Sequence, residues 1–313
     1  MWFPYELYAF YAPSLMPVSG QQFNGVLFQP VQGMAMFNVH VFRSAESAFF
    51  VNSFIIETGR GLVLVDTQFL TSSARQLCEA IRAHGKPLLA VFITHPHPDH
   101  FSGTAEIVHG WPGLPIYATQ ATIDVIRTTQ AEKRAAWTPV YGDDYPQETV
   151  LPNTVVVPGQ SIFVDGLELR VDDLGEGESA DITVIHLPQS DQLIASDLLY
   201  HRVHPWLAEG RTKQWLSQLE IVRERYSTAT GIFAGHGEAA GPNALTQQAE
   251  YLNTFRNWVR DGIGDLRHPT HEEKSMVAGK VLQRYPNYPL QMLVEMNIDG
   301  VAKELAAEFE SAR

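Results

Sequence analysis

The segment Thr94-His95-Pro96-His97-Pro98-Asp99-His100 carries the densest chemistry in the chain. It follows an apolar run, Leu88-Leu-Ala-Val-Phe-Ile-Thr94, that reads as a buried strand. His95, His97 and Asp99 alternate, so in an extended backbone they project to the same side. Pro96 and Pro98 exclude helix between them and stiffen the segment. Asp99 is a good N-cap, so a helix starting there swings His100 in another direction. Imidazole and carboxylate together suit zinc or a similar divalent ion. Three histidines and one aspartate within six residues at a strand–helix junction are hard to explain as a surface loop.

The surrounding pattern has to position that segment. Strand patterns run Met36–Phe42, Phe49–Ile56 and Gly61–Asp66, with a helix from about Ser72 to His84. A second helix is expected from near His100 to His109, a short strand at Pro115–Ala118 and a helix from Thr122 to about Ala136. Residues 137–153 hold Trp137, Tyr141, Tyr145 and three prolines, which suits a loop acting as a lid over a pocket. Strands return at Thr154–Val157, Leu167–Val171, Ile182–Leu187 and Gln192–Ala195. A helix over Thr212–Arg225 and a strand over Thr230–Ala234 follow, and the rest is mostly helical. Two β-rich halves, each ending in helices, are compatible with two sheets packed face to face and helices outside. Residues 1–35 show no clear period and read as an N-terminal arm, packed on the body or on a second copy of the chain. The domain then spans 36–313, with a helical C-terminal segment at 241–313, and a homodimer is compatible with this layout.

The motif His95-x-His97-x-Asp99-His100, followed by Gly103, resembles the signature of the metallo-β-lactamase superfamily. Asp66, after a strand, matches that family's early structural aspartate. Asp197, in Ala-Ser-Asp-Leu-Leu199, matches its metal-bridging carboxylate, and His236, in Ala-Gly-His-Gly237, its last ligand. The resemblance covers roughly residues 36–240 and implies an αβ/βα four-layer sandwich of two mixed sheets. It also implies two divalent ions, zinc first, with manganese or iron as alternatives. The first ion falls to His95, His97 and a third ligand, and the second to Asp99, His100 and His236, with Asp197 between them. A hydroxide shared by the ions is the implied nucleophile.

The third ligand of the first ion departs from the family pattern. Where a histidine is usual, Gly177-Glu-Ser-Ala-Asp181 places Glu178. A carboxylate binds zinc about as well as imidazole does. Glu178 is the first candidate, Glu176 a nearby rival, and His186 sits well into the following strand. Alkylsulfatases of the superfamily resemble this chain in using a glutamate there. With Asp99, Glu178, Asp197 and a hydroxide balancing two dications, the site is formally neutral and more tolerant of harder ions such as manganese or iron. Tyr200 resembles the tyrosine that N-acyl homoserine lactonases of this superfamily place beside the substrate carbonyl, where it donates to an oxyanion. His201, Arg202, His204 and Trp206 are further pocket candidates, whereas His40, His84, His109, His268 and His271 carry no signal.

The 313 residues carry a net charge of −13, which repels nucleic-acid phosphates and anionic membrane. No run of about 18 apolar residues is present, and no Lys or Arg precedes Arg43 as a secretory n-region. The expected address is the cytoplasm, and the single cysteine, Cys78, reads as a core residue. The expected activity is hydrolysis of an ester-like small molecule, a carboxylic ester or lactone first. A protonated Asp99 or a metal-bound water is expected to serve the leaving group. Sulfate ester hydrolysis is the alternative, and a diiron redox protein or non-catalytic metal-binding module is the reading from another class.

Overall fold

A computed structural model describes residues 37–311. The N-terminal arm lies outside the described residues. Six strands form the first sheet in sequence order: β1 (Asn38–Arg43), β2 (Asn52–Glu57), β3 (Leu62–Val65), β4 (Leu88–Phe92), β5 (Ile116–Thr119) and β6 (Thr154–Val156). β1, β2 and β3 pair antiparallel, and β3 through β6 pair parallel. The second sheet has the order β11-β10-β9-β8-β7, with β7 (Ser161–Val164), β8 (Leu167–Gly175), β9 (Ile182–Leu187), β10 (Gln192–His201) and β11 (Gly231–Gly237). β7 to β10 are antiparallel and β10 to β11 parallel. Parallel pairs need crossovers. α1 (Thr71–Ala83), α2 (Pro98–Phe101), α3 (Thr104–Gly110) and α4 (Gln120–Tyr141) supply them in the first half, and α5 (Thr212–Arg225) in the second. Three helices follow: α6 (Asn243–Gly262), α7 (His271–Arg284) and α8 (Met292–Ser311).

The layers follow from the period of the strands. Side chains alternate across a strand. Phe54, Ile56, Val63 and Val65 therefore meet Val171, Ile185, Leu187 and Phe233 of the other sheet in a core between the two sheets. Ile55, Leu62 and Leu64 turn the other way, onto Leu77, Ile81, Ile107 and Ile126 of the first-half helices. Val184, Leu193 and Ala195 likewise pack on Trp215, Leu219, Leu252, Phe255 and Val294. Both faces of each sheet are covered, so strands such as β3 are apolar at every position. This is the expected four-layer αβ/βα sandwich.

Several local expectations are corrected. The helix expected over His100–His109 is broken into α2 and α3 around Ser102 and Gly103. A Cβ on Gly103 would lie 2.1 Å from the Thr67 carbonyl oxygen, so this close approach needs glycine. Asp99 does not cap the helix: His97 is the N-cap, Pro98 sits at the first helical position and no side chain makes a cap bond. The loop expected from 137 begins five residues later, because α4 runs through Pro139 to Tyr141. Trp137 and Tyr141, one turn apart, pack edge-on to Phe69 at 5.2 and 5.3 Å. That packing holds the last turn despite the missing proline N–H. Asp144 accepts the backbone N–H of Ser72 at 2.8 Å in the first turn of α1. The strand β7 carries no clear pattern in the sequence, with Phe163 exposed.

Candidate metal centre

The site lies at the ends of β3, β4 and β11 and beside the middle of β10. Asp66, just past β3 in a left-handed conformation, is fully buried and pins both ends of the histidine segment. It accepts from the Thr94 backbone N–H at 2.9 Å, the Thr94 hydroxyl at 2.8 Å and His100 Nδ1–H at 2.8 Å. Thr94 Oγ1 in turn accepts from His95 Nδ1 at 2.9 Å. On the other sheet, the parallel β10–β11 ladder sets Tyr200 opposite His236. Gly235 lets Asp197 approach: a Cβ there would sit 1.8 Å from Asp197 Oδ1. His236 Nδ1–H donates to the Phe49 carbonyl at 2.7 Å.

These bonds leave one nitrogen of each ring aimed inward. His95, His97, Glu178 and Asp197 form one group of candidate ligands, and Asp99, His100, Asp197 and His236 a second; within each group the ligand atoms lie within 4.8 Å of one another. Asp197 belongs to both. In the first group, His97 Nδ1 lies 3.3 Å from Glu178 Oε1, and His95 Nε2 lies 3.5 Å from Asp197 Oδ2 and 4.0 Å from Glu178 Oε2. In the second, His100 Nε2 is 3.1 Å from Asp197 Oδ1. His236 Nε2 is 3.3 Å from both Asp99 Oδ2 and Asp197 Oδ2. A tetrahedral site with bonds of about 2.0–2.1 Å has ligand–ligand edges of about 3.3 Å. The separations match that spacing. Buried atoms without a hydrogen-bond partner include His95 Nε2, His100 Nε2, His236 Nε2, Glu178 Oε2 and Asp197 Oδ1, all facing this cluster. Buried polar atoms are normally paired. Five orphans at one point are what a cation-binding site needs.

The charges agree. Burial lowers the His97 pKa, but Glu178 and Glu209 outweigh it and hold the ring up at about 10. Burial also works against protonated His236, yet Asp197 and Asp99 raise it to about 9. Burial pushes Asp197 up, and the facing imidazoles His100, His236 and His95 bring it well below the ordinary carboxylate range. Carboxylates in this density hold protons on the rings that divalent ions would displace.

Of the three candidates for the third ligand, Glu178 lies in the cluster, 2% exposed. Glu176 is exposed and faces Arg211, and His186 pairs with Asp191 at 2.9 Å. Tyr200 lies with its ring stacked on His236 at 4.6 Å. Its hydroxyl is 2.9 Å from Glu178 Oε1 and 2.7 Å from Asp197 Oδ2, so it is directed at carboxylates.

Over the cluster opens a pocket walled by Phe49, Phe69, Trp137, Trp206, Leu290 and Leu293, with Lys133, Asp99, Tyr200 and His236 also lining it. The expected lid is instead part of this wall and its support. Trp137 faces the pocket, the Tyr141 hydroxyl donates to the Ser47 carbonyl at 2.9 Å, and Tyr145 is buried behind Phe69. Of the four residues after Tyr200, Trp206 reaches the pocket. His201 contacts the Glu238 carbonyl, and Arg202 lines a separate surface cleft with Arg284, Tyr285 and Tyr288. His204 is buried against Tyr251 and Tyr288. Phe49, Phe69, Lys133, Leu290, Leu293 and Glu209, whose carboxylate lies 2.9 Å from His97 Nε2, come from distant parts of the chain, and no local motif marks them. Away from the site, His40, Glu57 and His84 also gather, but Lys86 Nζ already neutralises Glu57 at 2.9 Å.

A Metallo-beta-lactamase superfamily model matches residues 47–236, more than half of the chain. The chain belongs to that superfamily. It is 36% identical over 253 residues to a hydroxyacylglutathione hydrolase of Xylella fastidiosa, covering 80% of this chain and 81% of the relative. It is 26% identical over 230 residues to a metallo-beta-lactamase of Chryseobacterium indologenes, covering 69% and 85%. Among solved structures, a beta-lactamase domain protein from Burkholderia ambifaria superposes with a TM-score of 0.64 at 18% identity, covering 90% of this chain and 88% of that one, a likeness of fold. Family and fold are those the histidine motif implied, and the chain is a hydrolase of a metal-dependent superfamily. No described helix is long and apolar enough to cross a membrane.

His204 carries a pH prediction. Burial depresses its pKa to about 4, and Nε2 has no partner for a second proton. The unfolded chain binds that proton at about pH 6.5, the folded one only near 4. Its contribution is intact above 6.5 and is lost as pH falls from there to 4, by about 3 kcal/mol in all. Melting temperature against pH for the wild type and His204→Gln should converge across that window. Parallel curves would refute the assignment.

Proposed function

We propose that the chain is a dinuclear metal-dependent hydrolase of ester-like small molecules, with a carboxylic ester or lactone as the favoured substrate. The observation that carries this reading is the pair of ligand groups sharing Asp197, spaced as coordination edges, on the floor of an apolar pocket. His95, His97 and Glu178 would hold one ion, Asp99, His100 and His236 the other, with Asp197 between them. The set of imidazoles and carboxylates suits zinc first and admits manganese or iron. When bound, such ions bring the pKa of water toward neutrality and polarise an attacked carbonyl oxygen.

The chain's own residues do the rest. Phe49, Phe69, Trp137 and Trp206 bind the apolar part of the substrate and exclude water. Asp99 lines the pocket beside the cluster, which supports a protonated Asp99 as the group that would serve the leaving group. Tyr200 orients Asp197 and Glu178 through its hydroxyl; donation to a substrate oxyanion requires exchange of that bond. The relative named hydroxyacylglutathione hydrolase acts, by its name, on an acyl compound, which favours acyl transfer. The carboxylate at Glu178 favours a second reading, sulfate ester hydrolysis. The net charge of −13 favours a small-molecule substrate over nucleic acid or anionic membrane.

Protein reloaded with zinc, manganese or iron should hold two ions per chain, and His97→Ala should lower both content and rate. A panel of aryl esters, lactones and sulfate esters assigns the substrate. Folded wild type that binds no ion stoichiometrically would sink the reading.

A further inference from the structure

Outside the ligand groups, His97 has one more polar neighbour. Its Nε2 lies 2.9 Å from Glu209 Oε1, while its Nδ1 faces Glu178 at 3.3 Å. The other three histidines are held at Nδ1 and present Nε2; His97 is turned the opposite way. Arg211 hydrogen-bonds the second oxygen of Glu209 and keeps that carboxylate in place.

The short loop carrying Glu209 is clamped by the C-terminal helix. Buried Asn297 accepts the Leu207 N–H at 2.7 Å and donates to the Pro205 carbonyl at 2.8 Å. Gly300 gives the loop room: a Cβ there would lie 2.2 Å from the Ala208 carbonyl oxygen. Glu304 accepts the backbone N–H groups of Thr212 at 3.0 Å and Lys213 at 2.8 Å. Glu209 therefore sits in a fixed position against the side chain of His97, which is 10% exposed.

We propose that Glu209 is a positioning residue for the first metal site: it accepts the Nε2–H of His97 and so presents Nδ1 to the ion, with Arg211 and α8 holding it there. This rests on the reading of His95, His97 and Glu178 as ligands of one ion. A carboxylate behind a ligating histidine fixes its tautomer and orientation and makes the facing nitrogen more basic, and its loss costs about 10–100-fold in affinity. It also gives α8 a task in the site, although that helix lies beyond the region shared with the family model.

The test uses full-length wild type, Glu209→Gln and Glu209→Ala. Zinc affinity is measured by chelator competition, and the cobalt-loaded proteins by paramagnetic proton NMR. Wild type should bind two ions and show shifted, exchangeable N–H resonances for His95, His97, His100 and His236. Glu209→Ala should lose about 10–100-fold in affinity for one ion and retain the other. It should also lose the His97 N–H resonance to solvent exchange while the other three persist. Glu209→Gln, which still accepts a hydrogen bond, should keep the resonance and fall between the two in affinity. Glu209→Ala with wild-type affinity and all four resonances would overturn the proposal, even if its melting temperature falls. Wild type that binds no ion would instead overturn the underlying reading, and the proposal with it.

Discussion

Asp197→Asn is expected to cost the protein both ions and most of its hydrolytic rate. Asp197 is the residue common to the two ligand groups, fully buried, with its oxygens 3.1 Å from His100 Nε2, 3.3 Å from His236 Nε2 and 3.5 Å from His95 Nε2. Asparagine keeps the shape but removes one of three anions and turns one ligand oxygen into an N–H₂ donor. Such a donor cannot coordinate a cation, and it faces imidazole nitrogens that must themselves be unprotonated to ligate. Each group also keeps a carboxylate of its own, Glu178 or Asp99, so the shortfall falls on both sites equally. The loss in affinity should exceed the roughly 10–100-fold typical of an outer-shell partner. Metal content after dialysis against chelator measures it, with circular dichroism as the check on folding. Two ions retained at wild-type affinity would show that Asp197 does not bridge.

What could be read from the sequence is what the backbone places locally. The order His-x-His-x-Asp-His at a strand end confines four donors to a short arc, His236 sits near the end of an apolar strand, and Asp197 follows the apolar run Leu193–Ala195 within β10. Strand alternation then decides the layers, because both faces of each sheet are covered. The rest depends on contacts between distant segments. Phe49 and Leu290 line the pocket in left-handed conformations that nothing in their type predicts. Glu209 stands in Trp206-Leu-Ala-Glu-Gly-Arg211 without a motif, and its place is set by α8 packing onto the loop. Pro139 reads as a helix stop, and the aromatic packing of Trp137 and Tyr141 on Phe69 overrides it. His204 follows Tyr200 closely enough to suggest the pocket, but β10 ends at His201 and the chain turns it into the aromatic cluster of the C-terminal helices.

The second large effect concerns Glu178, where this chain departs from the usual histidine. Glu178→Ala should lose one metal equivalent and most of the rate, while the second ion stays with Asp99, His100, His236 and Asp197. The asymmetry follows from geometry: Glu178 Oε1 and Oε2 lie 3.3 and 4.0 Å from His97 Nδ1 and His95 Nε2 and belong to the first ligand group alone. Truncation also leaves Tyr200 with one carboxylate, Asp197 at 2.7 Å, so the hydroxyl keeps a partner and the fold should survive. Glu178→Gln keeps the shape and loses the charge, so it should fall between alanine and wild type. Glu178→His exchanges an anionic oxygen for a neutral nitrogen and should restore binding with a shift in preference toward zinc over manganese. Metal content by mass spectrometry, competition between the two ions and the rate on the best ester substrate read all three variants. If Glu178→Ala retained two ions and full activity, Glu178 would not be a ligand. The first site would then rest on His95, His97 and Asp197, since Glu176 points at Arg211 and His186 at Asp191.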